Sequence, residues 1–196
     1  MKMNLPNKLT VLRMILVPVL IVLFFVPFPW HTLAAAAVYV IACITDFLDG
    51  HIARKYGLVT NFGKFLDPIA DKTIVACALI AVCVTPPVVS PQTAFTVCVA
   101  VFAMVILSRE LIVSGFRIVA ADKGVVLAAD MLGKAKTVFQ MIAILLLLPV
   151  VDIYAAHELC GTVFYYAGFS LLAIATLLTV VSGVNYLVKN RAVLEG

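Results

Sequence analysis

The chain has 196 residues, of which 64% are hydrophobic and 12% are charged, and its mean hydropathy is +1.17. Soluble domains carry about a quarter of their residues as Asp, Glu, Lys and Arg. This composition therefore excludes a soluble protein and predicts an all-α, polytopic membrane protein. The net charge of +4 does not indicate nucleic-acid binding, because no soluble basic face is available to hold a duplex.

Long apolar runs bounded by proline, glycine and charge predict six membrane-spanning helices. They lie near residues 8–28, 33–56, 63–84, 92–120, 132–149 and 158–188. This length leaves room for one membrane domain over residues 1–196. All fourteen Lys and Arg residues fall at the termini or around the second and fourth connections. The positive-inside rule then predicts that both termini are cytoplasmic.

Four aspartates, Asp46, Asp49, Asp67 and Asp71, stand at neighbouring ends of the second and third predicted helices. The members of each pair are three or four residues apart, so each pair lies on one helix face. The short polar connection after Lys55 predicts two helices folded back to back, with the four carboxylates together on the cytoplasmic side. A carboxylate within a membrane helix costs roughly 2.5–3.5 kcal/mol, so the cluster requires an energetic reason.

Three explanations of this acidic cluster are open. One is structural ion pairing with the nearby basic residues Arg54, Lys55, Lys64 and Lys72. A second is an ion-coupled transporter, although the acids lie at one end of the helices and not at the midplane. The third is coordination of two divalent cations, Mg²⁺ or Mn²⁺, because carboxylate oxygens suit such ions. Two such ions beside Arg and Lys residues indicate phosphate chemistry.

The pattern resembles the full signature of the CDP-alcohol phosphatidyltransferase family, with no departure at any fixed position. These positions are Asp46, Asp49, Gly50, Ala53, Arg54, Gly63, Asp67 and Asp71. The resemblance implies transfer of a phosphatidyl group from a CDP-linked lipid, CDP-diacylglycerol, to an alcohol with release of CMP. It also suggests a homodimer.

The same resemblance implies a role for each residue. Asp46, Asp49 and Asp67 would bind metal, and Asp71 would both assist the metals and act as the base. The residues implied at the CDP-lipid pocket are Asn7, Thr10, Arg13, Gly50, Ala53, Arg54 and Gly63. Arg13 has a second explanation, because an arginine near the end of a membrane helix can extend to the lipid headgroups.

Four basic residues around the fourth connection predict a pocket for a phosphorylated acceptor. They are Arg109, Arg117, Lys134 and Lys136. The alternative is that they only follow the positive-inside bias. The stretches 108–117 and 133–137 resemble those of the bacterial phosphatidylglycerol-phosphate synthases within the family. This implies glycerol 3-phosphate as acceptor and the bacterial cytoplasmic membrane as location, with the active site facing the cytoplasm. The acceptors of cardiolipin synthases and phosphatidylinositol-phosphate synthases are the alternatives.

Overall fold

The computed structural model describes residues 4–56, 60–86, 88–89, 93–125 and 131–191, without the side chains at positions 53, 54, 61, 64 and 93. All regular structure in this part of the chain is helical, which confirms the all-α prediction. The helices are α1 (Leu5–Phe25), α2 (His31–Tyr56), α3 (Asn61–Val84), α4 (Thr93–Asp122), α5 (Met131–Leu147), α6 (Val150–Ala156) and α7 (Glu158–Lys189).

Local sequence signals explain where two of these helices begin. Helix α1 starts at Leu5, before the predicted residue 8, because a proline in its first turn has no backbone N–H that would need a partner. Helix α3 starts after Thr60, whose hydroxyl oxygen accepts a hydrogen bond of 3.0 Å from the backbone N–H of Gly63. Such a cap satisfies one of the unpaired donors at a helix start.

The predicted connection after the fifth span contains a short helix that the sequence analysis did not identify. Helix α6 follows Pro149 and is bent by 46° relative to α5. One carboxylate oxygen of Asp152 in α6 accepts hydrogen bonds from the backbone N–H groups of Thr32 and Leu33, at 2.8 Å and 2.9 Å. It also accepts from the Thr32 hydroxyl at 2.6 Å. Helix α6 thus caps the start of α2.

The predicted back-to-back packing of the second and third helices is wrong. Helices α2 and α3 both pack mainly against α1 and touch each other little. The reason lies in α1, whose buried face is polar at one end, at Asn7, Thr10 and Arg13, and apolar at the other, from Val17 to Phe24. The polar end lies between the acidic ends of α2 and α3. Helix α7 forms the other half of the bundle with α4, α5 and α6.

Buried side chains from five helices form the centre of the bundle. Leu20, Leu79, Ile106, Ile144 and Leu172 are all fully buried. The outer surface exposes many large aliphatic and aromatic side chains, as expected for a protein surrounded by lipid. Among the described residues, four helices, α1, α2, α4 and α7, are long and apolar enough to cross a membrane, and the bent pair α5 and α6 adds a fifth if it is one span. The chain is therefore a membrane protein.

Candidate active site

Three of the four predicted aspartates meet around one arginine, and we call this group the acidic cluster: Asp46, Asp49, Asp67 and Arg13. The three carboxylates each place an oxygen within 4.8 Å of the others. Arg13 Nη1 lies 2.7 Å from Asp46 Oδ1 and 3.2 Å from Asp67 Oδ1, and Nη2 donates to Asp49 Oδ2. A cation from α1 therefore bridges carboxylates from α2 and α3.

Burial differs sharply within this cluster. The side chains of Arg13 and Asp49 are 0% and 4% exposed, whereas those of Asp46 and Asp67 are 45% and 47% exposed. The explanation that Arg13 extends to the lipid headgroups is therefore wrong. A guanidinium removed from water is stabilised only where acids pair with it, and the converging carboxylates supply these partners. Among the described side chains, α1 thus provides ion pairing that the sequence analysis expected from α2 and α3.

Asn7 and Thr10 continue the polar stripe of α1. The Thr10 hydroxyl lies 3.5 Å from Asp49 Oδ2, and Asn7 Oδ1 accepts a hydrogen bond of 2.9 Å from the Thr60 hydroxyl. A Cβ atom on Gly63 would lie 2.9 Å from Asn7 Oδ1, so a larger residue at this position would require the Asn7 side chain to shift. Asn7, Thr10 and Gly63 were predicted to line the donor pocket. In the structure they contact neighbouring protein residues close to the three carboxylates.

The other predicted donor-pocket residues lie at the end of α2. Gly50 follows Asp49 directly and is half-buried. The side chains of Ala53 and Arg54 fall outside the described part of the structure.

Asp71 lies one turn beyond Asp67 on α3 and does not join the three-carboxylate group. The residue is exposed. It interacts electrostatically with Arg13 and Asp67, with the adjacent Lys72, and with Lys136 of α5. Asp71 therefore interacts both with the acidic cluster and with Lys136, one of the basic residues predicted for the acceptor.

The predicted acceptor region contains a second charged group, which we call the basic cluster: Arg109, Arg117, Lys136 and Glu110. Glu110 Oε1 lies 3.3 Å from Arg109 Nη1 and accepts a hydrogen bond from Lys136 Nζ. Lys136 is only 4% exposed. Arg117 is exposed, but it is not free of contacts. Its Nε donates a hydrogen bond of 3.0 Å to the hydroxyl of Tyr186. The positive-inside rule requires basic residues on the cytoplasmic side but does not require them to be paired or buried. It therefore does not by itself explain the arrangement of Arg109 and Lys136.

Helix α7 contributes residues that the sequence analysis did not identify. Ser182 Oγ accepts a hydrogen bond of 3.0 Å from Arg109 Nη2, and the Tyr186 ring centroid lies 5.4 Å from the Arg117 guanidinium carbon. The sequence does contain a signal for them, because Ser182 and Tyr186 are polar residues four positions apart in an otherwise apolar helix. Glu110 and Thr60 also lie at these sites, although the sequence did not predict a role for either residue there. Lys134, the fourth predicted basic residue, is exposed near the start of α5.

The acidic cluster offers a donor set that fits a hard divalent cation. Three carboxylates from two helices converge, and no His or Cys joins them within the described residues. Carboxylate oxygens favour Mg²⁺ or Mn²⁺ over zinc or copper. The half-exposed oxygens of Asp46 and Asp67 are the accessible ones, while Arg13 holds the buried side.

Comparison with known proteins gives one consistent result. Residues 3–181 match the family described as CDP-alcohol phosphatidyltransferase. The chain is 41% identical over 206 residues to the CDP-diacylglycerol–glycerol-3-phosphate 3-phosphatidyltransferase of Bacillus subtilis (strain 168), covering 98% of this chain and 97% of that protein. It is 36% identical over 193 residues to the Salmonella choleraesuis (strain SC-B67) protein of the same name, covering 97% of each. The Escherichia coli (strain K12) protein of that name is 35% identical over 194 residues, covering 98% of this chain and 97% of its own.

Proposed function

Because the chain belongs to the CDP-alcohol phosphatidyltransferase family, we propose that it transfers the phosphatidyl group of CDP-diacylglycerol to glycerol 3-phosphate. The products are phosphatidylglycerol phosphate and CMP. The family predicted from the aspartate signature is confirmed. The choice of acceptor rests on the relatives, all three of which carry glycerol 3-phosphate in their names and match over nearly their whole length.

The convergence of basic side chains on Glu110 is the structural observation that supports glycerol 3-phosphate as the acceptor. Arg109 and Lys136 come from different helices and converge on one carboxylate, with Arg117 two turns along α4. Lys and Arg side chains that converge in a region of low water content are suited to a phosphate dianion, which an acceptor such as serine or choline lacks. We propose that Arg109, Arg117 and Lys136 bind the phosphate of the acceptor, with Lys134 at the edge.

The donor is proposed to bind at the acidic cluster. Asp46, Asp49 and Asp67 would hold the divalent cations, two ions of Mg²⁺ or Mn²⁺, and Asp71 would assist them. When bound, these cations neutralise charge on the pyrophosphate oxygens of the donor. Arg13 and Thr10 orient the buried Asp49, and Asn7 and Gly63 fix α1 against α3. We also propose that Gly50, Ala53 and Arg54 line the donor pocket.

Asp71 is proposed to act as the base. Its electrostatic interactions with Arg13 of the acidic cluster and with Lys136 of the basic cluster support this role. The acceptor hydroxyl oxygen forms a bond to the phosphorus that carries diacylglycerol, and the bond from that phosphorus to the CMP oxygen breaks. The hydroxyl proton passes to Asp71, and CMP leaves with the bonding electrons. Direct displacement of this kind predicts inversion at phosphorus and no covalent phosphatidyl-enzyme.

The proposed setting is the bacterial cytoplasmic membrane, with six spans, cytoplasmic termini and a homodimer. Six spans result if α3 and the bent pair α5 and α6 join the four apolar helices. Helix α3 carries four charged residues, Lys64, Asp67, Asp71 and Lys72, which explains why composition alone does not identify it as a span. Arg13 joins the start of α1 to the end of α2 and the start of α3, so these ends lie on one side of the membrane.

A reconstitution assay tests this function. Purified protein in mixed micelles is given CDP-diacylglycerol, radiolabelled glycerol 3-phosphate and either Mg²⁺ or Mn²⁺. We expect metal-dependent CMP release and a labelled lipid, both abolished by EDTA. Phosphatidylglycerol or inositol phosphate replaces glycerol 3-phosphate in parallel reactions. Turnover with one of these alone would contradict the proposed acceptor, and metal-independent turnover would contradict the proposed role of the acidic cluster.

A further inference from the structure

The side chain of Arg109, on α4, reaches two adjacent buried residues of α7, Ser182 and Gly183. Its Nη2 donates a hydrogen bond of 3.0 Å to Ser182 Oγ, and Ser182 is 0% exposed. A Cβ atom built on the next residue, Gly183, would lie 3.0 Å from Arg109 Cγ and 3.4 Å from its Nε. We call Ser182 and Gly183 the α7 notch. The arginine side chain passes over the glycine and ends on the serine.

The notch restricts where the guanidinium can go. A contact of 3.0 Å between a Cβ atom and a methylene carbon is repulsive, so any larger residue at position 183 requires Arg109 to move. Beside the notch lies a groove of about 390 Å³, whose walls on α4 and α7 are largely aliphatic. A guanidinium displaced into it would lose charge-assisted hydrogen bonds, so Arg109 has few alternative positions.

The opposite side of the guanidinium faces the rest of the basic cluster. Arg109 Nη1 lies 3.3 Å from Glu110 Oε1, which also accepts from Lys136 Nζ. A Cβ on Gly133 of α5 would lie 3.9 Å from Arg109 Nη2. Three helices thus meet at this one side chain.

We infer that Ser182 and Gly183 are positioning residues for the acceptor phosphate, acting through Arg109. This inference rests on the proposed function, because it takes the phosphate of glycerol 3-phosphate to be the ligand of Arg109 and Lys136. Neither residue of the notch needs to touch the acceptor. Their effect is to hold one of the two cationic groups at a fixed spacing from the other, so that both reach the same phosphate.

The experiment is a series of substitutions assayed in micelles with both substrates varied. Gly183→Ala and Gly183→Val add increasing bulk beneath Arg109, and Ser182→Ala removes its hydrogen-bond acceptor. We expect the KM for glycerol 3-phosphate to rise with Gly183→Ala and to rise further with Gly183→Val, reaching about tenfold for the latter. The KM for CDP-diacylglycerol and the kcat at saturating acceptor are expected to stay near the wild-type values. A purely structural role would instead lower the melting temperature and alter both substrates alike.

Gly115 provides the matched control. It lies on α4, and a Cβ built on it meets no atom within 4 Å among the described residues. Gly115→Ala and Gly115→Val are expected to leave both KM values unchanged. A double-mutant cycle gives a second measurement: in an Arg109→Ala background, Ser182→Ala should raise the acceptor KM no further, because the group that it positions is gone.

The failures of the inference and of the proposed function are distinguishable. If Arg109→Ala raises the acceptor KM but neither Ser182→Ala nor Gly183→Val does, the notch has no positioning role and the inference alone is overturned. Additive effects in the cycle would overturn it as well. If the wild-type protein turns over no phosphorylated acceptor, or Arg109→Ala leaves the acceptor KM unchanged, the proposed phosphate site is overturned, and the inference with it.

Discussion

The acidic and basic clusters are built on the same plan with opposite signs. In the acidic cluster three carboxylates surround a fully buried arginine, and in the basic cluster Arg109 and Lys136 share one glutamate that is 26% exposed. Each cluster keeps an excess of its own sign after this pairing. The internal counter-ion lowers the cost of gathering like charges in a membrane protein before any substrate binds. The remaining charge suits cations at one cluster and a phosphate at the other.

The two clusters differ in how the chain assembles them. The carboxylates lie within 22 residues, between Asp46 and Asp67, so a fixed spacing in the sequence reveals them. The basic cluster takes its members from α4 and α5 and its supporting residues from α7, beyond position 180. A site distributed in this way depends on the packing of the second half of the bundle. We therefore expect the acidic cluster to respond mainly to charge and the basic cluster also to packing.

The largest expected effect is at Asp71, which interacts electrostatically with residues of both clusters. Asp71→Asn keeps the shape of the side chain but removes its capacity to accept a proton. We expect kcat to fall by about 10²–10⁴, the range for loss of a general base, with binding of CDP-diacylglycerol partly retained. Rates of CMP release and equilibrium binding of the donor in micelles measure the two quantities.

Asp122→Asn is the control for this substitution, because Asp122 is an exposed aspartate at the end of α4. It is expected to react at the wild-type rate. Near-normal turnover of the Asp71→Asn protein would remove Asp71 from the role of base.

The second prediction tests whether Arg13 and the divalent cations neutralise the same carboxylates of the acidic cluster. Arg13→Met leaves the buried Asp49 without its cation, and breaking a buried pair in this way costs about 3–5 kcal/mol. We expect a large loss of thermal stability in detergent with EDTA, of which Mg²⁺ or Mn²⁺ restores part. Bound cations would take over the neutralisation that Arg13 provides.

Circular dichroism during heating, with EDTA and with each metal, measures this difference. Lys8→Met on the exposed side of α1 is the control and should unfold like the wild type. An equal metal-induced shift in the Arg13→Met and wild-type proteins would mean that the arginine and the metals do not share these carboxylates.

The smallest of these effects concerns the basic cluster. Lys136→Met removes a buried ammonium group and is expected to raise the KM for glycerol 3-phosphate about tenfold, as for the loss of one charged hydrogen bond. Lys134→Met is expected to have a smaller effect, because Lys134 is exposed. Steady-state kinetics with varied acceptor measure both.

Lys189→Met, at the exposed end of α7, serves as the control and should leave both KM values unchanged. If Lys134→Met and Lys136→Met had equal effects, the convergence of Lys136 and Arg109 on Glu110 would not explain acceptor binding.

The sequence by itself determined the helical class, the membrane character and the acidic cluster of Asp46, Asp49 and Asp67. These features are local, because hydropathy and helical spacing act over a few turns. The aspartate signature was sufficient to identify the family. The sequence also predicted which basic residues bind the acceptor, although not which of them are buried.

Only the tertiary structure decided what lies between these elements. Packing placed α1 between α2 and α3, so Arg13 became the buried centre of the acidic cluster and Asp71 remained outside the three-carboxylate group. Packing also brought Ser182 and Tyr186 of α7 to the arginines of α4. The physical reason is that ion pairs and close contacts between helices depend on which faces meet. A pattern of 3.6 residues per turn fixes the faces of each helix but not its neighbours.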